Sequence, residues 1–250
     1  MGTLRRAADG AVLAVTFLTV LPLRLRATAT TSLNSAAPWF PAVGALVGAI
    51  AGGVRAGLDP LIGTVAASVL ATATLAVVSG ALHLDGLADC ADGLGVHGNR
   101  TRRLEVMRDS SIGTFGALAL IVWFALVVVA VAGLDSKHAV AALVLAGAAS
   151  RTAALVHAQL APSARPDGLG AAFRPGLGAL VIAAPQALAA ALLVPIGHGL
   201  LALAAAALVA VGTAFWSRAA LGGRTGDTLG ATVAIAELAV LLVLLGFAQP

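Results

Sequence analysis

About seven stretches of the chain carry almost no charge for roughly 20 positions, the length a helix needs to cross the hydrocarbon of a bilayer. They run over residues 38–58, 61–84, 114–134, 139–161, 177–196, 199–217 and 231–247. Every second connection between them is brief, at 59–60, 135–138 and 196–198, whereas the alternate ones are long and polar. An eighth apolar run, 11–23, is shorter and is closed by Pro22, so charge has to decide whether it crosses the membrane or lies in its surface. The pattern predicts an all-α fold, a polytopic helical bundle in the membrane made by residues 1–250 as a single domain.

Composition strengthens this reading. Hydrophobic residues make up 60% of the chain and charged ones 10%, against about 25% charged in soluble domains, and the mean hydropathy is +1.00. The 29 glycines and 4% aromatic content suit helices that approach through small residues better than a lipid-facing barrel. Cys90 is alone, so neither an internal disulfide nor a four-cysteine zinc site is available. The first 25 residues begin like a signal peptide, with Arg5 and Arg6 ahead of the apolar run. Arg24 and Arg26 stand where a small-residue cleavage site belongs, and the segment is expected to be retained.

The net charge of +4 comes almost wholly from arginine. With 11–23 in the interface and a cytoplasmic N-terminus, one side receives Arg5, Arg6, Arg24, Arg26, Arg100, Arg102, Arg103, Arg108, Arg165, Arg174, Arg218 and Arg224. The other side receives only Lys137, and Arg55 and Arg151 fall within spans. Such asymmetry is the positive-inside rule, and it predicts seven spans plus an interfacial N-terminal helix, with the long polar connections, where function is expected, on the cytoplasmic side. In this setting the cations point to lipid and to a phosphorylated substrate, not to nucleic acid. No internal repeat of the inverted-transporter kind is visible.

Three polar segments carry candidate chemistry. In HLDGLADCADG, residues 83–93, Asp85, Asp89 and Asp92 follow an i, i+4, i+7 spacing that places them within a roughly 40° arc of a helix. Three anions on one face call for a cation, and oxygen-only ligation favours Mg²⁺ or Mn²⁺ over zinc; the bland alternative is a solvated turn ending a span. In RTRRLEVMRDSSIGTFG, residues 100–116, Arg100, Arg103 and Arg108 are candidates for phosphate oxygens, Glu105 for a further metal ligand and Asp109 for a base. Intrahelical ion pairs explain the same arginines about as well.

In GGRTGDTLGA, residues 222–231, glycines and a helix start suit an anion. Arg224 is a candidate for substrate and Asp227 for the metal site or the base. A flexible turn is the alternative, and the missing Gly-Lys-[Ser/Thr] excludes a Walker loop. Arg151 and Glu237 lie at membrane depth and need partners, Arg151 being placed to reach a ligand phosphate. His157 reads as a hydrogen-bonded helix residue. The turn-rich segment 165–176 has the make-up of a loop that closes over substrate.

Taken with FLTVLPL at 17–23, ASRTAAL at 149–155 and GLG at 168–170, these motifs resemble the cobalamin synthase family, also called adenosylcobinamide-GDP ribazoletransferase, from end to end. The resemblance implies a Mg²⁺-dependent enzyme of the bacterial cytoplasmic (inner) membrane, its active site facing the cytoplasm. It would join adenosylcobinamide-GDP to α-ribazole or its 5′-phosphate and release GMP, the step that assembles the nucleotide loop of cobalamin. It implies Asp85, Asp89 and Asp92 on Mg²⁺, arginines of 100–108 with Arg151 on the leaving GMP, and Asp109 or Asp227 as base. Ser111 stands where the family often has arginine and Phe115 where histidine occurs, so neither is assigned a role. The rival classes are a CDP-alcohol phosphotransferase, whose Asp-Gly-x-x-Ala-Arg is broken here by Asp89 and Cys90, and a secondary transporter, whose acids would line the bilayer centre. The sequence leaves oligomeric state open, a homo-oligomer included.

Overall fold

The computed structural model describes residues 2–23 and 32–248; Arg24 and Arg26 lie outside the described residues. Twelve α-helices and one 3-10 turn follow one another among them. Helix α1 (Gly2–Leu18) leads to the short α2 (Leu33–Ala36), the 3-10 turn Ala37–Trp39, and the long α3 (Phe40–Ile62) and α4 (Thr64–Val78). After them come α5 (Leu82–Gly95), α6 (Arg100–Val106), α7 (Thr114–Ala132) and α8 (Ser136–Leu160). The chain closes with α9 (Leu169–Ala172), α10 (Leu177–Ala191), α11 (Ile196–Leu221) and α12 (Gly226–Gly246).

The all-α membrane bundle is as expected, but the count of crossings differs. Among the described residues five helices are long and apolar enough to span a bilayer: α2 to α3 taken together, α7, α8, α11 and α12. A sixth arises only if the bent pair α4–α5 counts as one. The expected second span, 61–84, is broken. Gly80 and Ala81 both take left-handed backbone, α4 ends at Val78, and α5 leaves at 89°. The expected fifth span shrinks to the 15 residues of α10, about 22 Å of helix against a hydrocarbon core of about 30 Å. Helix α1 is not among those apolar enough to cross; it rests on α2 and the start of α3.

Helix α8 forms the centre. Gly44 and Gly48 of α3 meet Gly147 and Leu143 of α8 backbone to backbone, and a Cβ added at Gly44 or Gly147 would overlap the other's carbonyl. In lipid, where burial of apolar surface gives no drive between helices, such approach supplies dispersion contact that larger residues would prevent. On the other side Trp123 of α7 donates its indole N–H to the Ala234 carbonyl of α12 at 2.8 Å. His157 of α8, fully buried, is hydrogen-bonded at both ring nitrogens, to Thr232 of α12 (2.7 Å) and Ser217 of α11 (3.1 Å). Leu118, Ile121, Val129, Val181 and Leu208 remain exposed on outer faces, as lipid-facing positions do.

The two ends of the bundle differ. At one end Asp59 accepts from Thr64 (2.8 Å) and from Ser136 (2.6 Å), tying the α3–α4 and α7–α8 turns, and Lys137 is nearby in α8. The other end gathers α5, α6, α9, the 161–176 loop and the N-termini of α7 and α12. Arginine fastens it: Arg100 donates to the Ala164 carbonyl, Arg165 to Leu104, Arg218 to Leu160, and Arg224 to Ala161 and Phe173.

Candidate active site

At this basic end lies an open pocket of about 200 Å³. Its walls come from α1, α3, α5, α8, the 163–173 loop and the first two turns of α12. Helix α5 runs across the bundle end from α12 to α7, because Gly86 lets its backbone ride on Asp227; a Cβ there would sit 2.6 Å from the Asp227 carbonyl oxygen. Asp85 thereby faces the pocket beside Asp227. Thr225 caps α12, its hydroxyl accepting from Thr228 N–H at 3.2 Å and donating to Asp227 Oδ2 at 3.1 Å. The helix start and its carboxylate are thus held in a fixed relation.

Asp89 follows one turn after Asp85, half-buried. Burial, then the neighbouring carboxylates of Asp85, Asp227 and Asp92, push it up to about 7, and only Arg165 opposes them. Asp92 does something else. Its two oxygens accept the N–H groups of Gly113 and Gly116, each at 2.8 Å, at the start of α7. This anchors α7 to α5 and satisfies donors that have no partner within the helix. Asp85, Asp89 and Asp92 therefore share a helix face as the spacing predicts, but Asp92 is committed to backbone. Among the described residues no three acidic, histidine or cysteine side chains converge closely enough to hold an ion unaided. Mg²⁺ does not require that, since it is commonly held by one or two carboxylates, substrate phosphates and water. The hard-oxygen donors Asp85, Asp89 and Asp227, whose mutual repulsion a cation would relieve, fit it.

The other expected residues scatter. Glu105 is exposed and pairs with Arg102 at 3.3 Å, away from the aspartates' pocket. Asp109 is exposed too: its carboxylate accepts from Ser111 N–H at 2.9 Å, which holds it below the usual carboxylate range, and it lines no part of the pocket. Arg108 pairs with Asp167 at the surface at 3.2 Å. Arg103 is half-buried on α6, outside the pocket wall. Arg100 and Arg224 direct their forks at loop carbonyls, so they shape the site's border; Arg224 also lines the pocket. Arg151 lies in the pocket, 3.3 Å from Glu237 and 3.0 Å from the Ser150 hydroxyl, with its Nε unpartnered.

Arg165 lies closer to the aspartates than the expectation for this segment, a closing loop, specified. It lines the pocket, feels Asp89, Asp167 and Asp227, and keeps its Nε free of protein partners. The turn-rich character of 165–176 marked the loop but not which of its residues turns inward. His83, buried on the pocket wall, was likewise given no role, since a lone histidine at a helix start carries no signal of its own.

Fold and site together define a polytopic helical membrane protein with a carboxylate-rich, arginine-bordered pocket at one end. The chain belongs to the cobalamin-5-phosphate synthase family, whose profile matches residues 10–245. An adenosylcobinamide-GDP ribazoletransferase of Bradyrhizobium diazoefficiens is 38% identical over 98% of this chain and 96% of its own length. Enzymes of the same name from Klebsiella pneumoniae (43%) and Citrobacter koseri (40%) are similar over 82% of this chain and 85% of their own. No solved structure matches.

Proposed function

We propose that this chain transfers the adenosylcobinamide phosphate group of adenosylcobinamide-GDP to α-ribazole or its 5′-phosphate, releasing GMP, a reading supported by relatives named adenosylcobinamide-GDP ribazoletransferase. The observation that carries the proposal is the meeting of Asp85, Asp227 and Arg165 in one pocket, with Asp89 one helical turn from Asp85 and within electrostatic reach of all three. Displacement at phosphorus is chiefly a matter of position and charge, and this set supplies both. Asp85 and Asp89 would hold Mg²⁺, which would supply positive charge against the diphosphate. Arg165, from the loop, steadies a phosphate oxygen, and Arg151 offers its free Nε from the pocket floor. Asp227, fixed by Thr225, accepts the proton of the attacking ribazole hydroxyl. The basic end is the cytoplasmic side by the positive-inside rule, so the soluble substrates reach the site from the cytoplasm of a bacterial inner-membrane protein.

The direct test is purified protein in detergent with Mg²⁺, adenosylcobinamide-GDP and α-ribazole. GMP should appear in step with cobalamin and neither should appear with EDTA present. Absence of both, where the Klebsiella relative turns over, would overturn the assignment.

A further inference from the structure

Three phenylalanines from three separate segments form a continuous stack along the pocket. Phe17, at the end of α1, stacks on Phe40 at the start of α3, ring centroids 5.9 Å apart and planes 18° from parallel; Phe40 stacks on Phe173 of the loop at 5.5 Å and 6°. All three line the pocket. The loop that carries Phe173 is fastened on both sides: its carbonyl accepts from the Arg224 guanidinium at 2.7 Å, and Arg174 N–H donates to Asn34 Oδ1 at 2.7 Å. Leu18, Leu169 and Leu229 continue the same apolar surface. None of these side chains can donate or accept a hydrogen bond, whereas the rest of the pocket carries Asp85, Arg165 and Asp227.

We infer that the Phe17–Phe40–Phe173 wall is the subsite for the base of the acceptor nucleoside and sets specificity for an apolar, bicyclic aromatic base. The inference rests on the reaction proposed above and deepens it. The two substrates present opposite chemistry. Guanine, on the donor, exposes a carbonyl, a ring N–H and an amino group, and the corrinoid is rimmed with amides; pressing either against side chains without polar atoms would leave those groups unpaired, which is costly. The dimethylbenzimidazole base of α-ribazole exposes two methyl groups and C–H edges, and aromatic contact is what it can gain. With its base on this wall, the attached ribose lies toward the carboxylates, where its hydroxyl is needed.

Two measurements test this separately from the reaction itself. Binding of α-ribazole alone, by titration calorimetry on the detergent-solubilised protein, should weaken about tenfold in Phe40→Leu and in Phe17→Leu, the size of a lost edge-on aromatic contact, since the faces of Phe40 are taken by Phe17 and Phe173. In turnover the same substitutions should raise KM for α-ribazole about tenfold and move KM for the donor by no more than about twofold. The unsubstituted protein provides a check that needs no variant. The α-nucleoside carrying adenine in place of dimethylbenzimidazole, with its polar edge, should show kcat/KM lower by about tenfold or more. Equal rises in both KM values, unchanged α-ribazole binding in both variants, or equal use of the adenine nucleoside would each overturn the subsite. No turnover with either nucleoside, alongside intact α-ribazole binding that depends on Phe40, would refute the reaction while leaving the aromatic wall standing.

Discussion

Replacing Asp92 with alanine separates architecture from chemistry within the aspartate row. In the structure both Asp92 oxygens accept N–H groups, from Gly113 and Gly116, at 2.8 Å each. Without the carboxylate, two donors at the head of α7 lose their partners. Each bond of this charge-assisted kind contributes about 1.5–3 kcal/mol. The carboxylate fills the space closely: a Cβ at Gly113 or Gly116 would overlap an Asp92 oxygen. Water entering the vacated volume would recover part of the loss, so the net cost is about 2–3 kcal/mol, at or somewhat above the roughly 2 kcal/mol upper end for losing a helix cap, as two bonds are lost and not one. In thermal unfolding followed by tryptophan fluorescence in detergent, that corresponds to a fall in midpoint of about 5–10 °C, by the scale for chains of this size. At a temperature where the variant is folded, the Mg²⁺ concentration for half-maximal turnover should stay within about twofold of the parent. Asp89→Asn should do the reverse, keeping or raising the midpoint and abolishing turnover. An unchanged midpoint in Asp92→Ala combined with a lost Mg²⁺ response would refute the division of roles drawn here.

Further outcomes follow from the same geometry. Because the folded-state value of Asp89 is raised to about 7, the folded chain retains a proton that the unfolded chain gives up near the ordinary carboxylate value of about 4. Without divalent ions, stability should therefore decline as pH rises from about 4 to 7 and level off above, and Asp89→Asn should flatten the decline, as midpoints measured across that range would record. Glu237→Ala leaves the buried Arg151 without its counter-charge, an expected loss of about 3–5 kcal/mol, whereas replacing both residues with methionine should recover much of it; an equally unstable double variant would argue against the pair. A cysteine at Lys137, in a Cys90→Ala background, should react with an impermeant thiol reagent added outside intact cells, and labelling only after lysis would invert the orientation.

The class of fold was legible because lipid imposes one rule along the whole chain: apolar runs of helical crossing length, with arginine bunched on alternate connections. The break at Gly80 and Ala81 was not, since a left-handed alanine has no signature in composition, and the run 61–84 reads as unbroken until the 89° bend is seen. The site was legible in its carboxylates. Asp85 and Asp89 share a face by helical spacing, and Asp227 joins them through Gly86, a long-range contact that neither motif specifies alone. The arginines were harder to read because guanidinium serves phosphate and backbone carbonyl equally well. Arg100 and Arg224 chose carbonyls, and Arg165, marked only as part of a turn-rich loop, faces the acids instead. Glu105 and Asp109 lie on the same short segment as the arginines, yet their partners are local, Arg102 and the Ser111 amide.

The most direct measurement is a density map of the protein in lipid nanodiscs with Mg²⁺ and adenosylcobinamide-GDP, α-ribazole being withheld. The account predicts the diphosphate beside Asp85, Asp89 and Asp227, with cation density among those carboxylates and Arg165 on a phosphate oxygen. A diphosphate seated on α6 and the turn after it, among Arg102, Arg103 and Arg108, with the three aspartates remote from it, would contradict the account.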